Sequence, residues 1–305
     1  MEDRGCDIIP PSALWLRFFL LFPAKKAEEA APVEEAPPSE AKVPEPEPAP
    51  APVAPTYWSE VKLHEAIRAA NPDYSGNGQF QIDEQGQVQA IALDNCGMSD
   101  LSPFKGMKLM ALYLLGCDVA DISPLAGMPL VELYLEGTAV QDLSVLAGMS
   151  SLKKLYLSET KVEDLSPLKG LGIVEMNLVK TPVKDLSALK GMPLGMLWLT
   201  DTAVSDISPL SDSPLVSLTL HRTPVQDISP LPKTTLQRLH IGETNVSDLS
   251  SLKGLPLTRL VFDPEDITTG MDAVKAIPTI NEIGTKFEDG QNDLKPAAVF
   301  WQERG

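Results

Sequence analysis

Two groups of residues have types and spacings that could hold a metal ion. In Asp73-Tyr-Ser-Gly-Asn-Gly-Gln-Phe-Gln-Ile-Asp-Glu84, oxygen-bearing side chains fall at Asp73, Ser75 and Asn77, followed by a turn glycine at Gly78, an apolar Phe80 and a carboxylate at Glu84. Calcium accepts oxygen ligands in that order. The context opposes it. A calcium loop needs a helix on each side, whereas Pro72 stops the entering segment and the alternation of Val88, Ala90 and Ala92 after Gly86 reads as a strand. A Gly/Asn turn is the expected structure. The second group is His221 and His240, which have no evident third ligand. No nucleophile elbow, in-register Cys–His pair or phosphate-binding glycine loop is present in the sequence. The expectation is therefore a non-enzyme with no catalytic residue, cofactor or metal, the alternative being a regulatory subunit or weak metal-dependent enzyme built on the two histidines.

The elements that position these residues are set by a repeat. Asp-Leu-Ser-Pro-Leu and its near copies begin at Asp100, Asp121, Asp142, Asp164, Asp185, Asp206, Asp227 and Asp248, always 21 residues apart except for one step of 22 after Asp142. A fixed short period marks a stacked solenoid. From Leu130 the unit reads L-x-x-L-x-L-x-x-T-x-V-x-D-L-S-x-L, through Leu133, Leu135, Thr138, Val140, Asp142, Leu143, Ser144 and Leu146. One unit cannot bury its own apolar face, so only stacking makes it stable. Nine rungs are expected, centred on Ile91, Leu112, Leu133, Leu155, Met176, Leu197, Leu218, Leu239 and Leu260.

These residues resemble the leucine-rich repeat, and the Asp-Ile-Ser-Pro-Leu form at Asp121, Asp206 and Asp227 is similar to the short repeats of bacterial internalin-type surface proteins. The resemblance covers roughly residues 87–262. It implies an α/β repeat fold: a right-handed leucine-rich-repeat solenoid with parallel strands on one face, short helical or 3-10 turns opposite, and N- and C-terminal caps. It also implies a non-catalytic, partner-binding module at a bacterial surface, with contacts on the strand face. The chain departs from that family in its Thr/Cys column and its cap, so recognition of a host receptor does not carry over.

Within each turn, the aspartate is expected to accept backbone N–H bonds, with Ser as N-cap and Pro as first helical residue. Thr138, Thr160, Thr181, Thr202, Thr223 and Thr244 share one repeat position with Cys96 and Cys117. Their hydroxyls are expected to bond carbonyls of the neighbouring rung, and the two cysteines to stay reduced and buried. On the strand face, alternation brings Tyr113, Tyr134, Tyr156, Trp198 and His240 into one column. Flanking columns carry Glu132, Glu136 and Glu175 early, with Lys154 as an exception, and His221, Arg238 and Arg259 late. Exposed aromatics are the anchors protein interfaces use. Tyr113, Tyr134, Tyr156, Trp198, Glu132, Glu136, His221, Arg238 and His240 are thus the candidate partner-binding residues. The competing explanation is that stacked rings simply suit strands.

The net charge of −17 and pI near 4.6 argue against a nucleic-acid partner. Residues 1–23 include an apolar run, Ala13 to Phe22, too short to span a bilayer. Glu2, Asp3 and Asp7 precede it where an export signal carries positive charge, so it reads as an imperfect export signal, an artefact of the assigned start, or an amphipathic tail. Residues 24–56, rich in Pro, Ala and Glu, read as a disordered linker. Together they favour the cell envelope or export, with membrane contact through the N-terminal segment if anywhere. Residues 57–86 are expected to form an N-terminal cap, 87–262 the repeats, and 263–305 a C-terminal cap in which Phe287, Phe300 and Trp301 cover the last rung. The module is expected to be a monomer whose partner is a protein.

Overall fold

The computed structural model describes residues 57–231, 235–288 and 291–304. The expectations for residues 1–56 lie outside them. Helix α1, Glu60–Ala70, starts where Ser59 accepts the Lys62 N–H at 3.4 Å and ends at Asn71, before Pro72. It buries Leu63 and Ile67, whereas Val61 is 66% exposed. Strands β1 (Gln79–Ile82) and β2 (Val88–Ala92) form the antiparallel hairpin, closed by Asp83, whose carboxylate accepts the N–H groups of Gln85 and Gln87.

From β2 the repeat takes over. Strands β3 (Ala111–Tyr113), β4 (Glu132–Tyr134), β5 (Lys154–Tyr156), β6 (Glu175–Asn177), β7 (Met196–Trp198), β8 (Ser217–Thr219), β9 (Arg238–His240) and β10 (Arg259–Val261) pair in parallel, each with the next. The register joins Ile91, Leu112, Leu133, Leu155, Met176, Leu197, Leu218, Leu239 and Leu260 into one buried row, the nine expected centres. Alternation then sends the residues on either side of each centre to the opposite face.

The turn opposite each strand is a three-residue 3-10 helix at seven of the eight copies, among them Ser102–Phe104, Ser123–Leu125 and Ser208–Leu210. The aspartate accepts a backbone N–H as expected, but the place of the serine differs. Serine is the first residue of the helix, and the capping group is the aspartate: Asp121 Oδ1 accepts the Ser123 N–H at 2.8 Å while the Ser123 hydroxyl donates to Oδ2 at 3.0 Å. The same pair of bonds recurs at Asp100, Asp142, Asp164, Asp185 and Asp206. The serine N–H bonds hold the carboxyls of Asp121, Asp164, Asp206 and Asp227 below their ordinary pKa, which is how a column of like charges is tolerated.

The threonines also differ from expectation. Each hydroxyl donates to the carbonyl three residues earlier in its own rung, as Thr138 does to Leu135 at 2.6 Å and Thr181 to Leu178 at 2.6 Å. A side chain that close in sequence reaches its own turn first. Only the thiol of Cys117 crosses to the neighbouring rung, donating to the Leu93 carbonyl at 3.0 Å. Cys96 and Cys117 are free and buried, and burial pushes the Cys96 thiol up to about 11.

Beyond β10 come a helix α2 (Met271–Lys275), a further parallel strand β11 (Glu282–Gly284) with Ile283 fully buried, a two-stranded ribbon of β12 (Phe287–Glu288) and β13 (Gln291–Asn292), an antiparallel edge strand β14 (Lys295–Pro296), and helix α3 (Ala297–Gln302). Among the described residues, β1 to β11 and β14 make one twelve-stranded sheet. Phe300 closes the core against Phe262, 6.0 Å between ring centroids, with Trp301 edge-on to it. Phe287 does not join them and meets His240 instead. Among these residues no helix is long and apolar enough to cross a membrane.

Candidate functional site

The strand face carries the aromatic column in register. Tyr113 and Tyr134 lie 4.8 Å apart between centroids, Tyr134 and Tyr156 stack at 4.3 Å, and Tyr156 meets Trp198 at 5.9 Å across Asn177. Their exposure is uneven. Tyr113 and Tyr134 are buried, a departure from the exposed anchors expected, while Tyr156 and Trp198 are half-buried. Burial pushes all three tyrosine hydroxyls up, well away from ionisation at neutral pH.

At the early end the acidic column is internally wired. The Tyr113 hydroxyl donates to Glu132 at 2.8 Å and that of Tyr156 to Glu175 at 3.2 Å. Lys154 bridges them, 3.1 Å from Glu132 and 4.0 Å from Glu175. The apparent exception in the acidic column is thus what neutralises it. Glu136 accepts the Ser158 hydroxyl at 2.7 Å and the Asn177 amide at 3.3 Å, and burial raises its pKa. The hydroxyl of Tyr134, between these pairs, is buried with no hydrogen-bond partner among the described residues.

At the late end His221 and His240 stack with centroids 4.5 Å apart. His221 Nδ1 meets the Gly242 carbonyl at 2.9 Å, and its Nε2 lies 3.7 Å from Glu243. Burial, with the nearby His221 and Arg222 charges, lowers the His240 pKa to about 3. Arg222 grips Asp201 through two nitrogens at 2.6 and 2.9 Å, and Arg259 holds Glu282 at 2.6 Å. Phe287, expected over the last rung, turns onto the strand face, edge-on to His240 at 6.4 Å and under the Arg259 guanidinium at 5.4 Å.

Neither candidate metal group is assembled. Asn77 Oδ1 accepts from the Ser75 hydroxyl and from Cys96 Sγ, so two of the oxygens of the calcium-like stretch serve the turn, and neighbouring Asp83 closes the hairpin. Among the described residues no three His, Cys, Asp or Glu side chains converge as a metal site.

No protein-family model and no curated protein matches the sequence. Solved structures do. Internalin C2 from Listeria monocytogenes superposes with a TM-score of 0.55 at 24% identity, over 66% of this chain and 92% of that one. Internalin F from the same organism gives 0.42 at 19%, over 72% and 87%, and a leucine-rich-repeat protein of Leptospira interrogans gives 0.44 at 21%, over 61% and 50%. The chain has the leucine-rich-repeat fold.

One feature of this leucine-rich-repeat array was missed in the sequence. Asn95, Glu159, Lys180, Asp201, Arg222 and Glu243 all have left-handed backbone, φ between 51 and 59°. They occupy the repeat position that Gly116 and Gly137 fill. Two glycines in a column of charged residues were the available signal, because glycine marks backbone that other residues adopt at a cost. From Glu159 to Glu243 the charges alternate, and Lys180 reaches Glu159 at 2.7 Å.

Proposed function

We propose that the chain is a non-catalytic protein-interaction module whose protein partner docks on the strand face. The observation that carries this reading is the continuous column Tyr113, Tyr134, Tyr156 and Trp198, held in register by the sheet between an acidic and a basic region. The half-buried Tyr156 and Trp198 are the anchors, since large rings at the edge of a rigid surface lose little freedom on binding. Tyr113 and Tyr134 form the base on which they rest. Arg238 sets the orientation of a partner with complementary charge, and Glu132, Glu136, His221 and His240, all buried, shape the floor on which it docks.

The test is capture of a crosslinked partner by the purified protein against Tyr156→Ala with Trp198→Ala. The double variant is expected to lose the partner while its melting temperature moves by only about 5 °C. A retained partner, or loss of binding only in step with unfolding, sinks the reading. A passive envelope spacer is the second reading, favoured by the Pro/Ala/Glu composition of residues 24–56. In that case the strand-face variants are silent, and deleting residues 24–55 produces the phenotype.

A further inference from the structure

We propose, resting on the strand-face reading above, that the face of β9 is a carboxylate subsite that takes an aspartate or glutamate side chain of the protein partner. The arginines around it are already matched: Arg222 holds Asp201, and Arg259 holds Glu282. Arg238, in register between Ser217 and Arg259, has no carboxylate within ion-pair distance among the described residues. Its Nε is buried and has no acceptor among the described residues. Two residues further along the same face, His240 is 5% exposed, and its Nε2 is also buried without a partner among the described residues. A native fold that leaves two buried polar nitrogens on one strand face unsatisfied forgoes stability, and a carboxylate docked against that face would restore it.

The surroundings suit that ligand. Ser217 and Thr219 lie in register beside Arg238 and His240, adding hydroxyl donors. Gly242 leaves a notch: a Cβ there would stand 3.1 Å from His240 Nε2 and 3.3 Å from His221 Nδ1. Phe287 supplies an apolar wall, edge-on to His240. Arg238 brings the charge, and the neutral His240, in its Nε2–H form, brings a second hydrogen bond. In a chain of net charge −17 most of the surface repels an acidic group, which makes an unmatched cation selective.

The experiment is NMR titration of the isotope-labelled full chain, following the side-chain signals of Arg238 and His240. Three probes are added at constant ionic strength: glutamate blocked as N-acetyl methylamide, the equivalent blocked glutamine, and N-acetylglycine as mimic of a chain terminus. Blocked glutamate is expected to give saturable shifts at both residues. Blocked glutamine should bind at least about tenfold more weakly, and N-acetylglycine no better than blocked glutamate. Arg238→Gln should abolish the response, and Gly242→Ala, which fills the notch and keeps the arginine, should weaken it about tenfold. Trp198→Ala should leave it intact, so that failure of the aromatic docking surface and failure of this subsite are separable. No saturable shift, an equal response to blocked glutamine, persistence in Arg238→Gln, or indifference to Gly242→Ala overturns the proposal. Tighter binding of N-acetylglycine overturns the side-chain assignment in favour of a chain terminus.

Discussion

The rings of Tyr134 and Tyr156 lie stacked, 4.3 Å between centroids and 14° from parallel, yet their hydroxyls differ: Tyr156 donates to Glu175, while the buried Tyr134 hydroxyl has no partner in hydrogen-bond geometry among the described residues. The ring of Tyr134 therefore supports the column and its hydroxyl does not. Tyr134→Phe is expected to leave stability unchanged or raise it by about 1 kcal/mol, because an unsatisfied polar group is removed at constant shape. Tyr134→Ala should lower it by about 3–5 kcal/mol, the usual range for emptying an aromatic site. Urea unfolding of the two variants checks both values. A large loss in Tyr134→Phe would show that the hydroxyl has a partner.

His240 should make stability depend on pH. Its pKa is lowered to about 3 in the fold by burial and by the His221 and Arg222 charges, whereas an unfolded histidine titrates near 6.5. Between those values the unfolded chain binds the extra proton, so stability falls as pH falls through that window. His240→Phe keeps the stack with His221 and removes the titration. The melting temperature of the wild type is expected to drop from pH 7 to pH 5 more steeply than that of the variant. Parallel curves would refute the assignment. The turn aspartates act in a lower range: their depressed pKa values mean stability present above the ordinary aspartate range and lost as pH falls through the lowered values.

The aspartate cap is itself testable at Asp185, whose Oδ1 accepts the Ser187 N–H at 2.8 Å and whose Oδ2 accepts the Ser187 hydroxyl at 3.0 Å. Asp185→Ala removes both acceptors and should lower the melting temperature by about 2–4 °C. Ser187→Ala loses only the side-chain bond and should cost less. Equal effects would mean that serine, not aspartate, is the capping residue.

The array was legible because its period recurs eight times, and a repeated apolar pattern fixes register by majority. The nine centres from Ile91 to Leu260 needed no knowledge of coordinates. Strand β11 was hidden because Glu282–Gly284 lacks the Asp-Leu-Ser signature, although Ile283 fills the core position of a tenth rung. The threonine bonds went to their own rung because a carbonyl three residues away wins over one across the stack. On the strand face, alternation placed each side chain on the correct side. It could not give depth: the burial of Tyr113 and Tyr134, and the seat of Phe287 against His240, depend on contacts made far along the chain.

Backbone handedness gives the last prediction. Gly127 sits at φ +71° with nothing within 4 Å of where a Cβ would stand, so Gly127→Ala meets only the conformational penalty of left-handed backbone, about 1 kcal/mol. Gly270, at φ +84°, would drive its Cβ into the backbone of Leu249 and Ser250, so Gly270→Ala adds a clash and should be several-fold worse. Glu159 runs the comparison in reverse. It holds φ 59° and pairs with Lys180, both side chains more than half exposed. Glu159→Gly relieves the strain and forgoes a surface pair of at most about 1 kcal/mol. Chemical denaturation should rank Gly270→Ala below Gly127→Ala, with Glu159→Gly at or above the wild type. If Glu159→Gly proves clearly destabilising, the alternating charges along Glu159, Lys180, Asp201, Arg222 and Glu243 stabilise the array more than their exposure allows, and the row acts as a cooperative network.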